Sequence, residues 1–340
     1  MTDQDAIAAA AQRSLTLDQV LGNEPARAYL GRAWEERRLP QALLLTGPAG
    51  IGKTTMAYAL ARRIVADGGD PATHPRSLKV ARGVHPDLIP VSPGGASGQI
   101  RIDEIRAVED RTATAPLESP RKIVLIEPAE AMTTQAANCL LKLFEEPPPE
   151  LLIILISAEP NRVLPTIRSR ASEVRLEPVP GGDLVRWLMG RRPLGEAEAG
   201  LIAGLAEGRP GVALALCEGD AMGRRGRILE GLALLAREGF AGLFRAADAL
   251  IKADPGDLLL AVTLLRDALL IRAESGAPLN RDLEAELAAL AEGRSAEGLL
   301  EAAERLHGAA AEARYVYTPQ AKALFIECLL IDVGRSLRKA

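Results

Sequence analysis

Residues 42–60 read ALLLTGPAGIGKTTMAYAL, and this stretch decides how the first half of the chain is organised. Its apolar run ends at Thr46, and the residues that follow fit the pattern G-x-x-x-x-G-K-[ST] at every fixed position. A continuous apolar run is typical of a buried parallel strand, and the residues after the loop have the composition of a helix. The sequence therefore predicts a phosphate-binding loop between a strand and a helix N-terminus.

The residue types of this loop suit nucleotide phosphates. Glycines let backbone N–H groups approach phosphate oxygens without a Cβ in the way, and the helix N-terminus adds the positive end of its dipole. Lys53 is expected to contact the β- and γ-phosphates, and Thr54 to offer its hydroxyl to Mg²⁺. A glycine-rich turn without a ligand is the alternative, but every motif position and both flanks favour binding. We expect ATP or ADP with Mg²⁺ at Gly47, Pro48, Ala49, Gly50, Ile51, Gly52, Lys53, Thr54 and Thr55.

Length and composition are typical of a globular protein with more than one domain. The chain has 340 residues, of which 48% are hydrophobic and 25% charged. A net charge of −4 excludes a wholly basic surface, so any contact with nucleic acid must be local or shared with partners. The first residues are acidic where a signal peptide is basic, and the aliphatic run 151–156 is too short to span a bilayer. We expect a cytoplasmic protein that has no membrane partner.

The cysteines and histidines indicate no metal site. Cys139, Cys217 and Cys328 are far apart, and each lies in an apolar helical pattern that is typical of an inert buried thiol. His74 and His85 alone cannot form a structural zinc site. We therefore expect no zinc.

Up to residue 178, apolar runs alternate with amphipathic segments. Further strands are predicted at 87–91, 122–126, 152–156 and 171–176, and helices at 102–112, 133–144 and 163–168. This alternation predicts an α/β fold in which helices flank a parallel sheet. The segment 67–83, rich in glycine, proline and histidine, is predicted to form turns.

After residues 178–183, the strand signals stop and amphipathic helical patterns continue to the end of the chain. We predict three domains: a nucleotide-binding domain over 1–178, a small helical domain over 179–221 and a larger all-helical domain over 222–340. A helical domain of this size without catalytic polar residues more often mediates assembly than chemistry.

Two segments beyond the loop resemble a known family. Residues 138–148, NCLLKLFEEPP, and 164–170, LPTIRSR, are similar to the AAA+ core of bacterial clamp-loader subunits of DNA polymerase III, most of all to the delta-prime branch. The similarity continues through residues 21–24 and 208–214, so that it spans about residues 16–215. It implies an AAA+ P-loop domain, a helical lid and a helical collar that joins the subunits of a ring. These three parts agree with the predicted domains.

The chain also departs from active members of that family. Their third strand ends in Asp-Glu, the first residue for Mg²⁺ and the second to polarise the attacking water, whereas this chain has Glu127 and Pro128. Glu127 can still reach Mg²⁺ through water, but Pro128 has no proton acceptor, and losing a general base costs about 10²–10⁴-fold in rate. Glu130 could take over only if the backbone were rerouted. Ser157 occupies a polar sensor position, and Gly211 replaces an arginine that senses the γ-phosphate. We expect nucleotide binding with weak or absent hydrolysis.

Arg170 carries a different expectation. Without the resemblance, it would be interpreted as a solvated surface residue in a salt bridge. In the family, the Ser-Arg pair directs its arginine into the ATP site of the neighbouring subunit, and the resemblance therefore implies that Arg170 is an arginine finger in trans. It further implies a hetero-oligomeric, non-motor subunit of the DNA-directed DNA polymerase holoenzyme. Its partners would be gamma/tau motor and delta subunits through the collar, the sliding clamp, and primed DNA through the assembled ring.

Two alternatives remain open at this point. The chain could be an active ATPase of the gamma/tau type. Against this stand Pro128, Gly211 and the absence of cysteines between residues 67 and 100, where many motor subunits of the family carry a Cys₄ zinc module. It could also be an unrelated P-loop kinase or transferase, but that reading leaves the segments 138–148 and 164–170 unexplained. Turnover by the isolated chain would favour the first alternative, and a tightly bound substrate other than nucleotide would favour the second.

Overall fold

A computed structural model describes residues 10, 12–94, 98–148, 150–217, 221–243, 255–313 and 319–339. The chain divides into two compact units. The first contains Met1–Leu184 and Gly208–Gly211, and the second contains Val185–Glu207 and Val212–Ala340. The division into three domains stays a prediction.

The first unit is built on a parallel sheet. Among the described residues, five strands pair in the order β2-β3-β4-β1-β5. Their bounds are β1 Ala42–Thr46, β2 Leu88–Val91, β3 Lys122–Ile126, β4 Leu151–Ser157 and β5 Ser172–Arg175. Every residue of β1, β3 and β4 is buried, as expected for a parallel sheet that is covered on both faces. The predicted α/β P-loop fold is confirmed, and β1 lies between β4 and β5 in the sheet.

Helices cover both faces of this sheet. Within the first stretch of the unit they are α1 Glu24–Glu35, α2 Lys53–Ala66, α3 Pro75–Ala81, α4 Ile102–Thr112, α5 Thr134–Glu145 and α6 Pro165–Arg168, and α7 Gly181–Met189 begins at its end. Successive side chains of β1 enter opposite cores: Leu43 packs with Leu30 and Met56, whereas Leu44 packs with residues of α4 and α5. The loop after β1 is therefore anchored by a strand that is buried on both sides.

One helix of the first unit was not predicted from the sequence. Helix α3 lies inside the segment that was expected to form turns. His74 caps it, because its Nδ1 accepts a hydrogen bond from the Arg76 N–H at 3.3 Å. The buried Arg62 of α2 donates to the Ser77 hydroxyl at 2.8 Å and so holds α3 against its neighbour. This contact joins residues that are distant in sequence, which a local pattern does not reveal.

The second unit is helical in the part of the chain that the structure describes. Its helices are α8 Glu196–Ala206, α9 Pro210–Cys217, which begins in the first unit, α10 Ala221–Glu238, α11 Pro255–Arg272, α12 Glu284–Ala291, α13 Ala296–Glu312 and α14 Pro319–Leu337. Its core is made mostly of leucine and alanine, among them Leu264, Leu299 and Leu330, each fully buried. The predicted all-helical C-terminal region is confirmed. In the described part of the chain, no helix combines the length and apolar character that a membrane crossing requires.

A buried cluster of polar side chains connects two helices and a loop of the second unit. Arg225 of α10 donates to the Asn280 Oδ1 at 2.7 Å, and the Asn280 Nδ2 donates to the Asp267 Oδ2 of α11 at 2.7 Å. Since all three side chains are buried, each needs these partners to offset the cost of leaving water. The cluster therefore fixes the connection that precedes α12 against two core helices.

The expectation of three buried thiols is only partly met. Cys139 is buried, Cys217 is half-buried and Cys328 is exposed. The prediction for Cys328 was wrong because α14 buries Ile326 and Leu330 on a face that does not include Cys328.

Candidate nucleotide-binding site

The loop between β1 and α2 has the backbone conformation that its glycines predict. Gly47 and Gly52 have φ angles of 136° and 103°, in the region that side chains with a Cβ rarely adopt. A Cβ on Gly47 would also lie 2.6 Å from the Leu176 carbonyl oxygen. Because α2 begins at Lys53, the free N–H groups of a helix N-terminus lie next to the loop. This combination is the usual backbone arrangement for binding phosphate groups.

Backbone carbonyl groups of the loop hold the Lys53 side chain in place. Its Nζ donates to the Gly47 carbonyl oxygen at 2.7 Å and to the Pro48 carbonyl oxygen at 2.9 Å. The side chain is only 7% exposed, so the ammonium group is held at the loop and does not extend into solvent. A phosphate oxygen that approaches the loop would meet an ammonium group whose position is already set.

Thr54 and Glu127 come together from two elements. The Thr54 hydroxyl donates to the Glu127 Oε1 at 2.5 Å. Glu127 follows β3 directly, and its N–H donates to the Val91 carbonyl oxygen at 3.0 Å, which continues the pairing between β3 and β2 by one residue. Hydroxyl and carboxylate oxygens are hard ligands of the kind that Mg²⁺ takes together with phosphate oxygens, so these two residues fit the cation that the loop implies. Bound there, Mg²⁺ would neutralise charge on the β- and γ-phosphates.

The environment of Glu127 favours its neutral form. Burial raises the pKa of its carboxyl group, the Thr54 hydrogen bond and the Lys53 charge lower it, and the nearby Glu130 raises it again. The net result is a pKa above the usual 4.5. A bound cation would reverse this balance, because metal ligands must be deprotonated.

Beyond Glu127, the side chain of Pro128 offers no proton acceptor. A short 3₁₀ helix, Ala129–Ala131, then carries Glu130 back toward the sheet. The Glu130 Oε1 accepts a hydrogen bond from the Ala158 N–H at 3.1 Å, just past the end of β4. The Glu130 carboxyl group is therefore fixed at the end of β4, at the residue after Ser157. The expectation of weak or absent hydrolysis stays a prediction.

The pairing of β4 with β1 places Ser157 beside the start of the loop. It is fully buried, and it pairs with Thr46, the residue before Gly47. Its Oγ accepts a hydrogen bond from the Glu159 N–H at 3.1 Å, which leaves the hydroxyl proton to donate elsewhere. Its role toward a phosphate or a water stays a prediction.

Gly211 contacts the loop through its backbone. Its N–H donates to the Gly50 carbonyl oxygen at 2.8 Å, and a Cβ at this position would lie 3.0 Å from the same oxygen. Sequence reasoning noted the lost arginine here but missed this hydrogen bond. The absence of a side chain is what allows the start of α9 to approach the loop so closely.

Arg170 makes its contacts away from the loop. It is 43% exposed, its Nη1 donates to the Thr166 carbonyl oxygen at 3.1 Å, and its Nη2 lies 3.6 Å from the Glu145 Oε1. Arg168, the last residue of α6 and two positions before Arg170, donates to the Asn161 Oδ1 at 3.2 Å. An accessible guanidinium group is what a finger in trans requires, and that role stays a prediction.

His74 and His85 have local structural roles. The His74 Nδ1 caps α3, and the buried His85 accepts a hydrogen bond from the Asp87 N–H at 3.2 Å through its Nδ1. Within the described ranges, no group of three or more His, Cys, Asp or Glu side chains is arranged to hold a metal ion. The expectation about zinc stays a prediction from the sequence.

Known proteins match this chain in the region of the loop and sheet. A family model described as DNA polymerase III, delta subunit, matches residues 22–180. The DNA polymerase III subunit delta-prime of Escherichia coli K12 is 32% identical over 244 residues, which are 70% of this chain and 72% of that protein. The delta-prime subunit of Pseudomonas aeruginosa is 37% identical over 204 residues, 58% of this chain and 62% of the relative. The match therefore spans less than two thirds of the Pseudomonas protein.

A second type of subunit is also similar. The DNA polymerase III subunit gamma/tau of Mycobacterium tuberculosis H37Rv is 35% identical over 165 residues, which are 46% of this chain and 28% of that protein. Among solved structures, a gamma subunit-related protein of DNA polymerase III from Thermotoga maritima is 20% identical and covers 91% of this chain and 99% of its own, with a TM-score of 0.40. The fold of this chain is assigned from its own strand order.

Proposed function

This chain belongs to the family of DNA polymerase III delta-prime subunits, and we propose that it acts as a non-motor subunit of the clamp loader. It binds ATP or ADP with Mg²⁺ through residues 47–55 and hydrolyses the nucleotide slowly or not at all. The proposal depends mainly on one observation: at one edge of the sheet, groups that can bind the nucleotide are present, but the position of the catalytic base holds a proline. Lys53, Thr54 and Glu127 provide charge and cation ligands, whereas Pro128 provides no base for the attacking water.

Within this proposal, Arg170 acts on a neighbouring motor subunit. Its guanidinium group is exposed and is held by one carbonyl oxygen and one exposed carboxylate. Exposed ion pairs are worth about 0–1 kcal/mol, so a phosphate group can displace Glu145 at little cost. An arginine finger raises the rate of phosphoryl transfer by about 10³–10⁵-fold in well-studied enzymes.

The remaining parts of the proposal concern the assembly. The helices of the second unit join gamma/tau and delta subunits in a ring in the cytoplasm. The ring opens the sliding clamp and loads it onto primed DNA, with ATP hydrolysed by the motor subunits. The family relationship and the helical character of the described residues in 221–243, 255–313 and 319–339 support this assignment.

The finger role is tested in a reconstituted ring with clamp and primed DNA. The other motor subunits carry Lys→Ala in their own phosphate-binding loops, so that only the site next to this chain is active. Arg170→Ala should slow ATP hydrolysis at that site by about 10³-fold and leave this chain's nucleotide affinity unchanged. Arg168→Ala, which removes an arginine two positions earlier in the same segment, is the matched control. Equal rates for the Arg170→Ala ring and the control ring would contradict the finger role.

An active ATPase of the gamma/tau type is the second candidate. The similarity to the Mycobacterium tuberculosis gamma/tau subunit and the buried carboxyl group of Glu130 near the loop favour it. Turnover by the isolated chain that disappears in Lys53→Ala would support this candidate over the non-motor role.

A further inference from the structure

Glu130 has one carboxylate oxygen whose role the fold does not explain. The residue is only 9% exposed. Its Oε1 accepts from the Ala158 N–H at 3.1 Å, whereas its Oε2 is buried and has no hydrogen-bond partner among the residues that the structure describes. A buried polar atom without a partner is destabilising, and such atoms are rare in native proteins. The second oxygen therefore indicates a missing donor.

The strand register places this carboxylate beside the phosphate-binding loop. Ala158 follows Ser157, which pairs with Thr46, and Gly47 comes next in the chain. The Glu130 Oε1 is therefore held at the end of β4, the strand that pairs with the one leading into the loop. On the other side, Glu130 is close enough to Glu127 to raise the pKa of that carboxyl group. Glu130 thus lies at the same edge as the Thr54 and Glu127 oxygens.

A purely structural role would not require an acid here. Bracing the Ala158 N–H needs one acceptor oxygen, and a glutamine would provide it without a buried charge. A carboxylate beside a second carboxylate is costly unless a cation offsets the charge. Mg²⁺ keeps several water molecules when it binds to nucleotide phosphates, and those waters are strong hydrogen-bond donors.

We infer that Glu130 is a positioning residue for hydrated Mg²⁺ at the nucleotide site. Its Oε2 accepts a hydrogen bond from a water of the cation, and its charge adds to that of Glu127. This inference rests on the proposed nucleotide binding, and it gives the chain a second acidic group in place of the one that is lost at position 128. The role concerns the cation and requires no hydrolysis.

The test compares nucleotide affinity with and without the cation. A fluorescent ATP analogue is titrated into the full chain in excess Mg²⁺ and again in EDTA. Glu130→Gln keeps an acceptor for the Ala158 N–H but removes the charge. It should lower the affinity in Mg²⁺ by about 10-fold and change the affinity in EDTA by less than about twofold. Glu146→Gln, an exposed position of the same unit, is the control for a general loss of charge.

Each outcome separates the inference from the proposed function. Equal Mg²⁺-dependent affinities for Glu130→Gln and wild type would overturn the inference and leave nucleotide binding intact. No nucleotide binding by the wild type would overturn the proposed function, and with it the inference. If Glu130→Gln does not fold, Glu130→Asp keeps the charge but shortens the side chain, and the same loss confined to Mg²⁺ is expected. EPR titration of Mn²⁺ into the nucleotide complex gives a second readout, with weaker Mn²⁺ binding expected in either variant.

Discussion

The phosphate-binding loop and the end of β3 lie at the same edge of one sheet, but they differ in completeness. The loop has each residue type that its motif requires, with Lys53 fixed on two carbonyl oxygens. The end of β3 retains Glu127 but continues into Pro128. Under the proposed function, nucleotide binding and nucleotide hydrolysis therefore depend on separate groups, and binding persists where hydrolysis is lost.

The largest expected effect concerns the phosphate-binding loop, whose motif is complete. Lys53→Ala removes the buried charge that faces the phosphates and should weaken binding of an ATP analogue by at least about 100-fold. Isothermal titration calorimetry measures this change. Lys142→Ala, an exposed position of α5, should leave the affinity as it is. If Lys53→Ala bound nucleotide as tightly as wild type, the loop would not be the binding site.

The next effect concerns Glu127 and pH. Because its pKa is raised, its contribution to folding stability is present below the usual 4.5 and is lost as the pH rises through the raised value. Cation binding has the opposite sign, since it needs the ionised carboxylate. Each pH unit below the raised pKa should weaken Mg²⁺-dependent nucleotide binding by up to about tenfold.

The control for this pH effect is Glu127→Gln. The nucleotide phosphates titrate equally with both proteins, so only the difference between the two affinity profiles reports on Glu127. That difference should shrink as the pH is lowered. Parallel profiles across the whole range would show that Glu127 does not contact the cation.

The smallest effect concerns the contact between α9 and the loop. Gly211→Ala places a Cβ 3.0 Å from the Gly50 carbonyl oxygen, so the loop must shift. We expect nucleotide affinity to fall a few-fold and the midpoint of thermal unfolding to drop by about 2–4 °C. Gly200→Ala lies at an exposed position inside α8 with no atom within 4 Å of its Cβ, and should be neutral or slightly stabilising. Identical behaviour of the two variants would mean that the close approach of α9 has no consequence for the loop.

The sequence predicted those elements whose signal is local. The apolar run of β3 and the amphipathic pattern of α4 gave the observed bounds, Lys122–Ile126 and Ile102–Thr112. Helix α5 begins after Thr133, whose hydroxyl caps it by accepting from the Ala136 N–H. In each case the information lies within one stretch of the chain, where periodicity and capping can be read directly.

The parts that were not predicted depend on contacts between distant residues. Helix α3 is stabilised by Arg62 from another helix, and its own segment contains mainly turn-forming residues. Glu130 is placed by the Ala158 N–H, 28 positions along the chain. The Gly211 hydrogen bond to Gly50 joins two parts of the chain that are even farther apart. Motif spacing identified the loop, but only the sheet register brings the oxygens of Ser157, Glu127 and Glu130 to its edge.

The most direct test of the account measures nucleotide binding and turnover on the isolated chain. Equilibrium binding of an ATP analogue and single-turnover hydrolysis of labelled ATP are recorded in Mg²⁺ for wild type and for Lys53→Ala. We predict that the wild type binds the analogue while its hydrolysis stays at the level of the Lys53→Ala sample. Hydrolysis by the wild type well above that level would contradict the non-motor role and would assign base catalysis to another group of the site.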